Sequence, residues 1–496
     1  MSNTTTIIIG AGPAGLTAAY QLSKAGAPVV VLEADPEYVG GISRTVEHNG
    51  YRFDIGGHRF FSKSAEIEAL WTEILGDDLL QRPRLSRIYY NRKFLAYPIR
   101  AGEVLRKLGP IEAIRAILSY VKARAFPIAN PRSFEDWVTN QFGERLYRAF
   151  FKTYTEKVWG MSCKQISADW AAQRINGLSL ASAIRQAIVP RGGKPGSPTI
   201  KTLVSSFRYP RLGPGMMWER CRDRIVEMGG RVLPGRRVCG LRYLGAELGW
   251  EVTTNDRDGR EESFLAPHVI SSAPMRELAH IVEPALAPPA KAAAESLKYR
   301  DFLTVALMMH DSTHLPDNWI YVHDPGVRVG RIQNFKSWSP ALVPDPAMCC
   351  FGLEYFCFEG DGLWSSSDEE LVALASRELA QLGLAKPDDV VDGCVVRQAK
   401  AYPVYDDDYA THVDTIRREL AAHYPGLHLV GRNGMHKYNN QDHAMMTAML
   451  TAKNIIAGSS LYDPWRVNQD AEYHESESTA GDSGGRALPR ALVTTG

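Results

Sequence analysis

The sequence predicts an α/β fold, in which a discontinuous domain with a parallel sheet is interrupted by a helical insertion and by an antiparallel sheet domain. Three observations support this prediction. A strand–turn–helix–strand unit fills residues 4–33, helical periodicity dominates residues 103–188, and strand-like alternation dominates residues 300–402. The first unit also carries a glycine pattern that is typical of a Rossmann-type dinucleotide-binding domain.

The glycine pattern lies where the first strand passes into the first helix. Residues 7–9 are three isoleucines, as expected for a buried parallel strand. Gly10, Gly12 and Gly15 follow as G-x-G-x-x-G. The first glycine allows the tight turn, the second lets a pyrophosphate approach the backbone, and the third lets the helix pack closely on the strand. The N-terminus of the helix adds N–H groups and a dipole that favour phosphate.

An acidic residue follows the second strand. The apolar residues 29–32 end at Glu33, which is placed to accept hydrogen bonds from adenosine ribose hydroxyls. A lone glycine fingerprint is weak evidence, but strand, helix, second strand and acid stand here in the required order. The sequence therefore predicts a dinucleotide site rather than a chance glycine-rich turn. No second fingerprint follows, so a dedicated nicotinamide domain is not expected.

Further elements can be assigned along the chain. Residues 65–75 have a helical pattern, and two alternating stretches around Asn91 and Arg92 predict a hairpin. Ser133, three residues before Asp136, is a capping signal for a helix in the insertion. We expect a nucleotide-binding domain at 1–75, 190–298 and 425–467 and a helical domain at 99–189. We expect a substrate-binding antiparallel sheet domain at 76–98 and 299–424. The tail at 468–496 is rich in polar and small residues, so we expect it to be disordered.

Bulk composition excludes several classes of protein. The chain has 57 Lys plus Arg and 56 Asp plus Glu, so its near-zero net charge gives no electrostatic case for binding nucleic acid or an anionic membrane. Seven cysteines without a C-x-x-C pair suggest reduced thiols and a cytoplasmic protein. We expect no signal peptide and no membrane span. We also expect no metal site, because His436 and His443 have no acid at ligand spacing.

Two glycine pairs behind Glu33 carry a family resemblance. Gly40-Gly41 is followed by Arg44-Thr45, and then by the segment D-I-G-G-H that ends at His58. Here the sequence resembles the flavoprotein superfamily of amine oxidases, protoporphyrinogen oxidases and UDP-galactopyranose mutases. The resemblance implies FAD rather than NAD as the cofactor.

Later segments sharpen the resemblance towards UDP-galactopyranose mutases, especially the eukaryotic kind. They follow one another in order: Asp54 to His58, Lys157-Val158-Trp159, Trp170 with Arg174, Phe207 to Pro210, and G-R-N-G followed by Tyr438 and N-Q-D-H. This family implies a non-covalent FAD that acts when reduced, its N5 attacking the anomeric carbon of a nucleotide sugar to interconvert pyranose and furanose. It also allows NAD(P)H as an external reductant and a homo-oligomer.

The resemblance assigns roles to individual positions. For the cofactor it implies Gly10, Gly12, Gly15, Glu33, Gly41, Arg44, Gly57, His58, Val238, Arg432, Asn440 and Gln441. For catalysis it implies His58, Arg174 and Arg331, and for substrate binding Tyr97, Arg174, Tyr321, Arg331, Tyr402 and Tyr438. Two arginines suit a diphosphate leaving group, because each guanidinium can bond phosphate oxygens bidentately.

Two alternatives stay open at this point. An FAD oxidase or desaturase of the amine oxidase or protoporphyrinogen oxidase type would use an apolar or aromatic cage in place of two arginines. A non-enzymatic binding protein on the same fold, of the Rab escort type, would not need the intact fingerprint and Glu33. A yellow purified protein would exclude the second alternative.

Overall fold

The computed structural model describes residues 5–97, 103, 107, 109–168 and 206–468. Trp170, Arg174 and the predicted tail after residue 468 lie outside the described residues, as does part of the predicted helical domain. None of the described helices is long and apolar enough to cross a membrane. All seven cysteines lie within the described ranges and are free thiols, as predicted.

Twenty strands are present in the described residues, numbered in chain order. They are β1 (Thr6–Ile9), β2 (Val29–Leu32), β3 (Thr45–His48), β4 (Tyr51–Asp54), β5 (Leu79–Pro83), β6 (Ser86–Tyr90), β7 (Lys93–Ala96), β8 (Ser206–Pro210), β9 (Arg231–Leu233), β10 (Arg237–Tyr243), β11 (Trp250–Asn255), β12 (Glu261–Ala266), β13 (His268–Ser271), β14 (Val282–Glu283), β15 (Tyr299–His310), β16 (Trp319–Val322), β17 (Arg331–Asn334), β18 (Met348–Cys357), β19 (Val390–Pro403) and β20 (Leu427–Leu429).

The α-helices of the same described ranges are numbered likewise. They are α1 (Pro13–Lys24), α2 (Ala65–Leu75), α3 (Pro110–Ala125), α4 (Phe134–Phe142), α5 (Glu144–Tyr147), α6 (Thr153–Trp159), α7 (Gly215–Glu227), α8 (Met275–Ile281), α9 (Pro288–Ser296), α10 (Phe335–Trp338), α11 (Asp368–Gln381), α12 (Tyr409–His423), α13 (Gly431–Gly434) and α14 (Gln441–Ala457).

A five-stranded parallel sheet contains β1 as its central strand, in the order β20-β13-β1-β2-β9. Its first strand is buried on both faces, which explains the continuous isoleucine run. Ile8 packs into a core with α1, α7 and α14, whereas Ile7 and Ile9 pack into a second core with α8, α9 and α12. A smaller sheet, β12-β11-β10-β14, contributes Leu241 and Trp250 to that second core.

A seven-stranded sheet forms the other large layer, in the order β19-β15-β18-β17-β16-β6-β7. One face is covered by α11, and the other packs against β4 and β8. The sequence predicts a purely antiparallel sheet, but β16 pairs with β6 in parallel. The reason is that β6 and β7 form a hairpin from a distant chain segment, so no short turn dictates its direction when it docks on β16.

Several local predictions are confirmed, and two helices inside the predicted strand region were missed. The β6–β7 hairpin turns at Asn91 and Arg92, which both have positive φ, and Ser133 forms a capping box with Asp136. The stretch 300–402, where alternation predicts strands, also contains the short helix α10 and the longer helix α11. Helix α11 begins with a second capping box, Ser367 with Glu370, a signal that the sequence shows as S-x-x-E.

Candidate active site

The glycine-rich loop between β1 and α1 leaves no room for side chains at two of its glycines. An added Cβ at Gly15 would lie 1.8 Å from the Gly10 carbonyl oxygen, and one at Gly10, where φ is +94°, would lie 2.4 Å from Ser272 Oγ. Gly12 precedes α1, and no side chain caps the helix or places an acid in its first turn. The open N–H groups at this helix start can therefore bind an anion such as pyrophosphate.

Glu33 lies beside this loop. Its carboxylate accepts hydrogen bonds from the backbone N–H of Ala11 at 2.6 Å and of Asp35 at 2.9 Å. Burial raises the pKa of Glu33, and these backbone hydrogen bonds oppose that shift. The segment leading to Val238 is adjacent, because the Arg236 N–H donates to the Glu33 carbonyl at 2.7 Å. The structure thus brings the predicted ribose-binding acid, the glycine loop and the β10 segment together.

The second glycine pair closes over the first loop. An added Cβ at Gly41 would lie 3.3 Å from Gly12 Cα, so the two backbones nearly touch. Arg44 donates from Nη1 to the Gly41 carbonyl at 3.1 Å and to Gln398 Oε1 at 2.8 Å. The predicted cofactor residues Gly41 and Arg44 therefore line the same cradle as the glycine fingerprint.

His58 lies close enough to Arg432 and Arg331 for their charges to act on its imidazole. Its Nδ1 is 3.1 Å from the Gly56 carbonyl oxygen. Burial, together with the positive charges of Arg432 and Arg331, lowers the pKa of His58 to about 3. The imidazole is therefore neutral near pH 7, so it can orient a ligand by hydrogen bonding but does not serve as a proton donor of ordinary strength. Gly57 is indispensable here, because an added Cβ would lie 1.8 Å from the Trp319 ring.

The segment from Gly431 to His443, which we call the closing segment, lies between β20 and the first turn of α14. It approaches the start of α1, because an added Cβ at Gly431 would lie 3.0 Å from Ala14 Cβ. Arg432 donates from Nε to the Asn439 carbonyl at 2.9 Å and from Nη1 to the Ala401 carbonyl at 3.0 Å. Asn440 caps α14. The next residue, Gln441, has a buried side-chain amide whose oxygen and nitrogen both lack a partner among the described protein groups. A buried orphan amide at a helix start fits a ligand with polar edges, as the flavin ring has.

Arg331 is the centre of the predicted substrate site. It forms a buried ion pair with Glu354, and its Nη2 donates to the Tyr402 hydroxyl at 3.2 Å. Gln333 Nε2 holds the other carboxylate oxygen of Glu354 at 2.6 Å. Burial opposes the charge of Arg331, but the field of Glu354 outweighs it and raises the pKa of the guanidinium well above its ordinary value. Burial also raises the pKa of Glu354; because both neighbours bind the carboxylate, we assign a charged pair.

Aromatic rings enclose this arginine on two sides. Tyr402 and Tyr438 stack with centroids 5.5 Å apart and planes inclined by 16°, forming one wall. Tyr321 packs against Tyr97 at 4.6 Å and stacks on Trp319 at 5.8 Å, forming the other wall. The Arg331 guanidinium lies 5.1 Å from the Trp319 ring centroid and bonds Tyr402, so it joins the two walls. The four predicted substrate tyrosines are therefore brought into one cluster, whereas Arg174 lies outside the described residues.

Four residues of this cluster were not identified from the sequence. Glu354 is a lone acid in the apolar run C-C-F-G-L-E-Y-F-C, and this signal could have identified it. Arg59 follows His58 directly, and its guanidinium lies 5.7 Å from the Trp319 ring. Tyr154 meets Tyr321 edge-on at 5.5 Å. No pattern in the sequence distinguishes Trp319 or Tyr154 from ordinary core aromatics.

No group of three or more His, Cys, Asp or Glu side chains that could hold a metal ion occurs in the described part of the chain.

Comparison with known proteins agrees with this architecture. The model of the family "Flavin containing amine oxidoreductase" matches residues 13–456. A Klebsiella pneumoniae protein named "Probable UDP-galactopyranose mutase" is 28% identical over 177 residues, which are 34% of this chain and 44% of that protein. An Escherichia coli dTDP-fucopyranose mutase is 29% identical over 170 residues, 33% of this chain and 43% of that protein. The matches thus span less than half of these relatives.

Solved structures show the same fold. A reduced UDP-galactopyranose mutase superposes with a TM-score of 0.79 at 21% identity, covering 95% of this chain and all of the other. A putrescine oxidase superposes with a TM-score of 0.59 at 17% identity, covering 92% of this chain and 99% of the other. Because the family model spans nearly the whole described chain, the protein belongs to the flavin containing amine oxidoreductase family.

Proposed function

We propose that the protein is an FAD-dependent nucleotide-sugar mutase similar to UDP-galactopyranose mutases, which interconverts pyranose and furanose forms. The observation that carries this proposal is the charged Arg331 guanidinium, buried between two aromatic walls beside His58 and the closing segment. A fixed cation in a water-poor site attracts an anionic leaving group such as a diphosphate. It repels the protonated amine that an amine oxidase would have to admit.

The surrounding charges support an anionic substrate. The guanidinium of Arg432 lies 5.1 Å from the Tyr402 ring, and that of Arg59 lies 5.7 Å from the Trp319 ring. Arg331 is paired with Glu354, whereas Arg432 donates to the backbone carbonyls of Asn439 and Ala401, which leave its positive charge in place. The pocket walls therefore suit an anionic ligand such as a nucleoside diphosphate.

Each group has a separate role in the proposal. Arg331 binds the diphosphate and stabilises the charge that grows on it as the glycosidic bond breaks. Glu354 and Gln333 hold the guanidinium in position, and Tyr402 donates or accepts at the phosphate side. Tyr97 and Tyr321 offer an aromatic surface for a base. The chemistry that FAD supplies when bound and reduced is nucleophilic, at N5 of the ring system.

The expected redox behaviour separates this function from its rival. Only a reduced flavin carries a nucleophilic N5, so mutase activity should be absent in the oxidised protein and appear on reduction, with no net consumption of reductant per turnover. We would follow isomer formation and oxygen uptake together, with free FAD plus dithionite as the control. Oxygen uptake in proportion to substrate consumed would contradict the mutase proposal.

One observation favours the runner-up, an FAD oxidase or desaturase. The near-parallel pair Tyr402 and Tyr438 resembles the aromatic cage that such an enzyme would use. The Arg432 guanidinium, however, lies over both rings, at 5.1 Å and 5.6 Å. The pair is thus already occupied by a cation on one side, which weakens it as a site for a cationic amine.

FAD should be bound without a covalent link. The closing segment from Gly431 to His443 contains no cysteine, and the two cysteines nearest to it along the chain before it, Cys357 and Cys394, lie on β18 and β19. Acid precipitation of the purified protein should release all yellow colour into the supernatant, as measured by absorbance near the flavin maximum. Colour that stays in the washed pellet would show a covalent link and contradict this expectation.

A further inference from the structure

Helix α3 (Pro110–Ala125) presents its large apolar side chains to solvent. Ile111, Ile114, Leu118 and Val121 are 55–66% exposed, and Phe126, just past the helix end, is 79% exposed. Their spacing of three, four and three residues places the four aliphatic side chains on one face of the helix. We call these five residues the α3 stripe. Such a concentration of exposed apolar side chains marks an interaction surface.

The buried and exposed faces of α3 are the reverse of those of an ordinary amphipathic surface helix. Its buried positions are the small residues Ala116 and Ala123, which lie roughly opposite the α3 stripe at about 3.6 residues per turn. An amphipathic helix that serves only the core turns its large apolar residues inward. In α3 the large apolar side chains therefore lie on the solvent side of the helix and do not contribute to the core.

Basic residues flank the α3 stripe. At helical spacing, Arg115 and Lys122 lie along one edge of it and Arg124 lies towards the other, all of them exposed. The only acid of the helix, Glu112, is bound by Arg115 at 2.8 Å and by Arg145 at 2.9 Å. Long basic side chains beside an apolar strip can extend to lipid head groups while the strip enters the acyl boundary.

We propose that the α3 stripe and its basic flanks form a docking surface for an anionic phospholipid bilayer. The near-zero net charge of the whole chain conceals this local excess of positive charge. A second copy of the chain fits less well, because a twofold contact through the α3 stripe would bring the two sets of basic flanks together. An anionic membrane surface complements both the apolar strip and its charge.

The test is co-sedimentation of the full-length, FAD-loaded protein with sucrose-loaded vesicles. On phosphatidylcholine vesicles with about one third phosphatidylglycerol, we expect binding that is at least about tenfold stronger than on pure phosphatidylcholine and that weakens as salt is added. The double substitution Ile114→Glu with Leu118→Glu should reduce the partition coefficient by at least about tenfold. Flavin content and melting temperature should stay unchanged, because both side chains are exposed.

A matched control introduces the same charges elsewhere. Val226→Glu with Leu265→Glu replaces two exposed apolar residues on α7 and β12 and should leave vesicle binding unchanged. The proposal is overturned if the wild type ignores anionic vesicles, or if the stripe and control variants bind them equally. It is also overturned if light scattering shows a dimer that Leu118→Glu dissociates while vesicles bind neither protein, since the α3 stripe would then be a contact between copies.

Discussion

Replacing Arg331 with alanine should lower kcat/KM by about 30- to 1,000-fold and leave bound FAD in place, which corresponds to a loss of about 2–4 kcal/mol of transition-state stabilisation. If the guanidinium holds a leaving diphosphate, charge grows on the phosphate oxygens as the bond breaks. The contact is then stronger in the transition state than in the ground state, so kcat should fall as well as affinity. Turnover, UDP affinity and flavin occupancy measure the three quantities separately.

Three companion variants make the result specific. Arg331→Lys keeps the charge but loses the bidentate fork, so it should rescue only part of the activity. Glu354→Gln keeps the size of the side chain that positions Arg331 and removes its charge. Arg328→Ala removes an exposed arginine three residues away and should have no effect on turnover. Wild-type turnover and UDP affinity in Arg331→Ala, with full flavin occupancy, would place the diphosphate elsewhere.

Arg174 enters the same experiment as the partner that the family resemblance assigns. It lies outside the described residues, so its role stays a prediction of the sequence. Arg174→Ala should reduce kcat/KM over the same range as Arg331→Ala, because the two arginines are proposed to bind one diphosphate. If Arg174→Ala and Arg331→Ala both keep the kcat/KM of the wild type, the mutase proposal loses its main support.

Replacing Gly15 with alanine should weaken FAD binding and, with it, lower activity. The new Cβ would lie 1.8 Å from the Gly10 carbonyl oxygen, so α1 and the loop cannot keep their present contact. We expect FAD affinity to fall by at least about tenfold and the melting temperature to fall even at saturating FAD. Fluorescence titration with FAD and thermal unfolding measure the two effects.

Gly12 provides an informative contrast within the same loop. An added Cβ there meets only Gly41 Cα, at 3.9 Å, so Gly12→Ala should leave the apoprotein as stable as the wild type. It should still weaken FAD binding, because the methyl group occupies the space through which a pyrophosphate approaches the backbone. Gly362→Ala, where nothing lies within 4 Å, is the control for both variants. Unchanged FAD affinity in Gly15→Ala would contradict the assignment of this loop to the cofactor.

The glycine-rich loop geometry and its neighbour Glu33 could be predicted from the sequence because their determinants are local, whereas their role in binding FAD stays a prediction. The spacing of Gly10, Gly12 and Gly15 fixes a loop geometry that tolerates no side chain, and Glu33 follows at the end of the next strand. Such constraints act over about thirty residues and leave a pattern. Strand β1 could be predicted from the sequence as well, because a parallel strand that is buried on both faces requires an unbroken apolar run.

The residues of the candidate substrate cluster could be named only through family resemblance, and their role in binding substrate stays a prediction. Arg331, Glu354 and Tyr402 stand on three different strands and meet through sheet register and packing, which no local periodicity encodes. Trp319 approaches Gly57 across more than 250 residues of chain, and only the added-Cβ distance of 1.8 Å reveals why that glycine is needed. The parallel pairing of β16 with β6 is likewise a product of docking.

The most direct test of the proposed function is to incubate the dithionite-reduced protein with a panel of UDP-, GDP- and TDP-sugars and to separate the products by chromatography. The mutase proposal predicts a new peak from at least one sugar nucleotide, with unchanged mass and ultraviolet spectrum, that appears only with reduced protein. When this product is isolated and incubated again with the reduced protein, it should revert to the starting sugar nucleotide. The Arg331→Ala variant should form this peak at least about 30-fold more slowly. Contradiction would come from the absence of any isomer across the panel in protein fully loaded with reduced FAD.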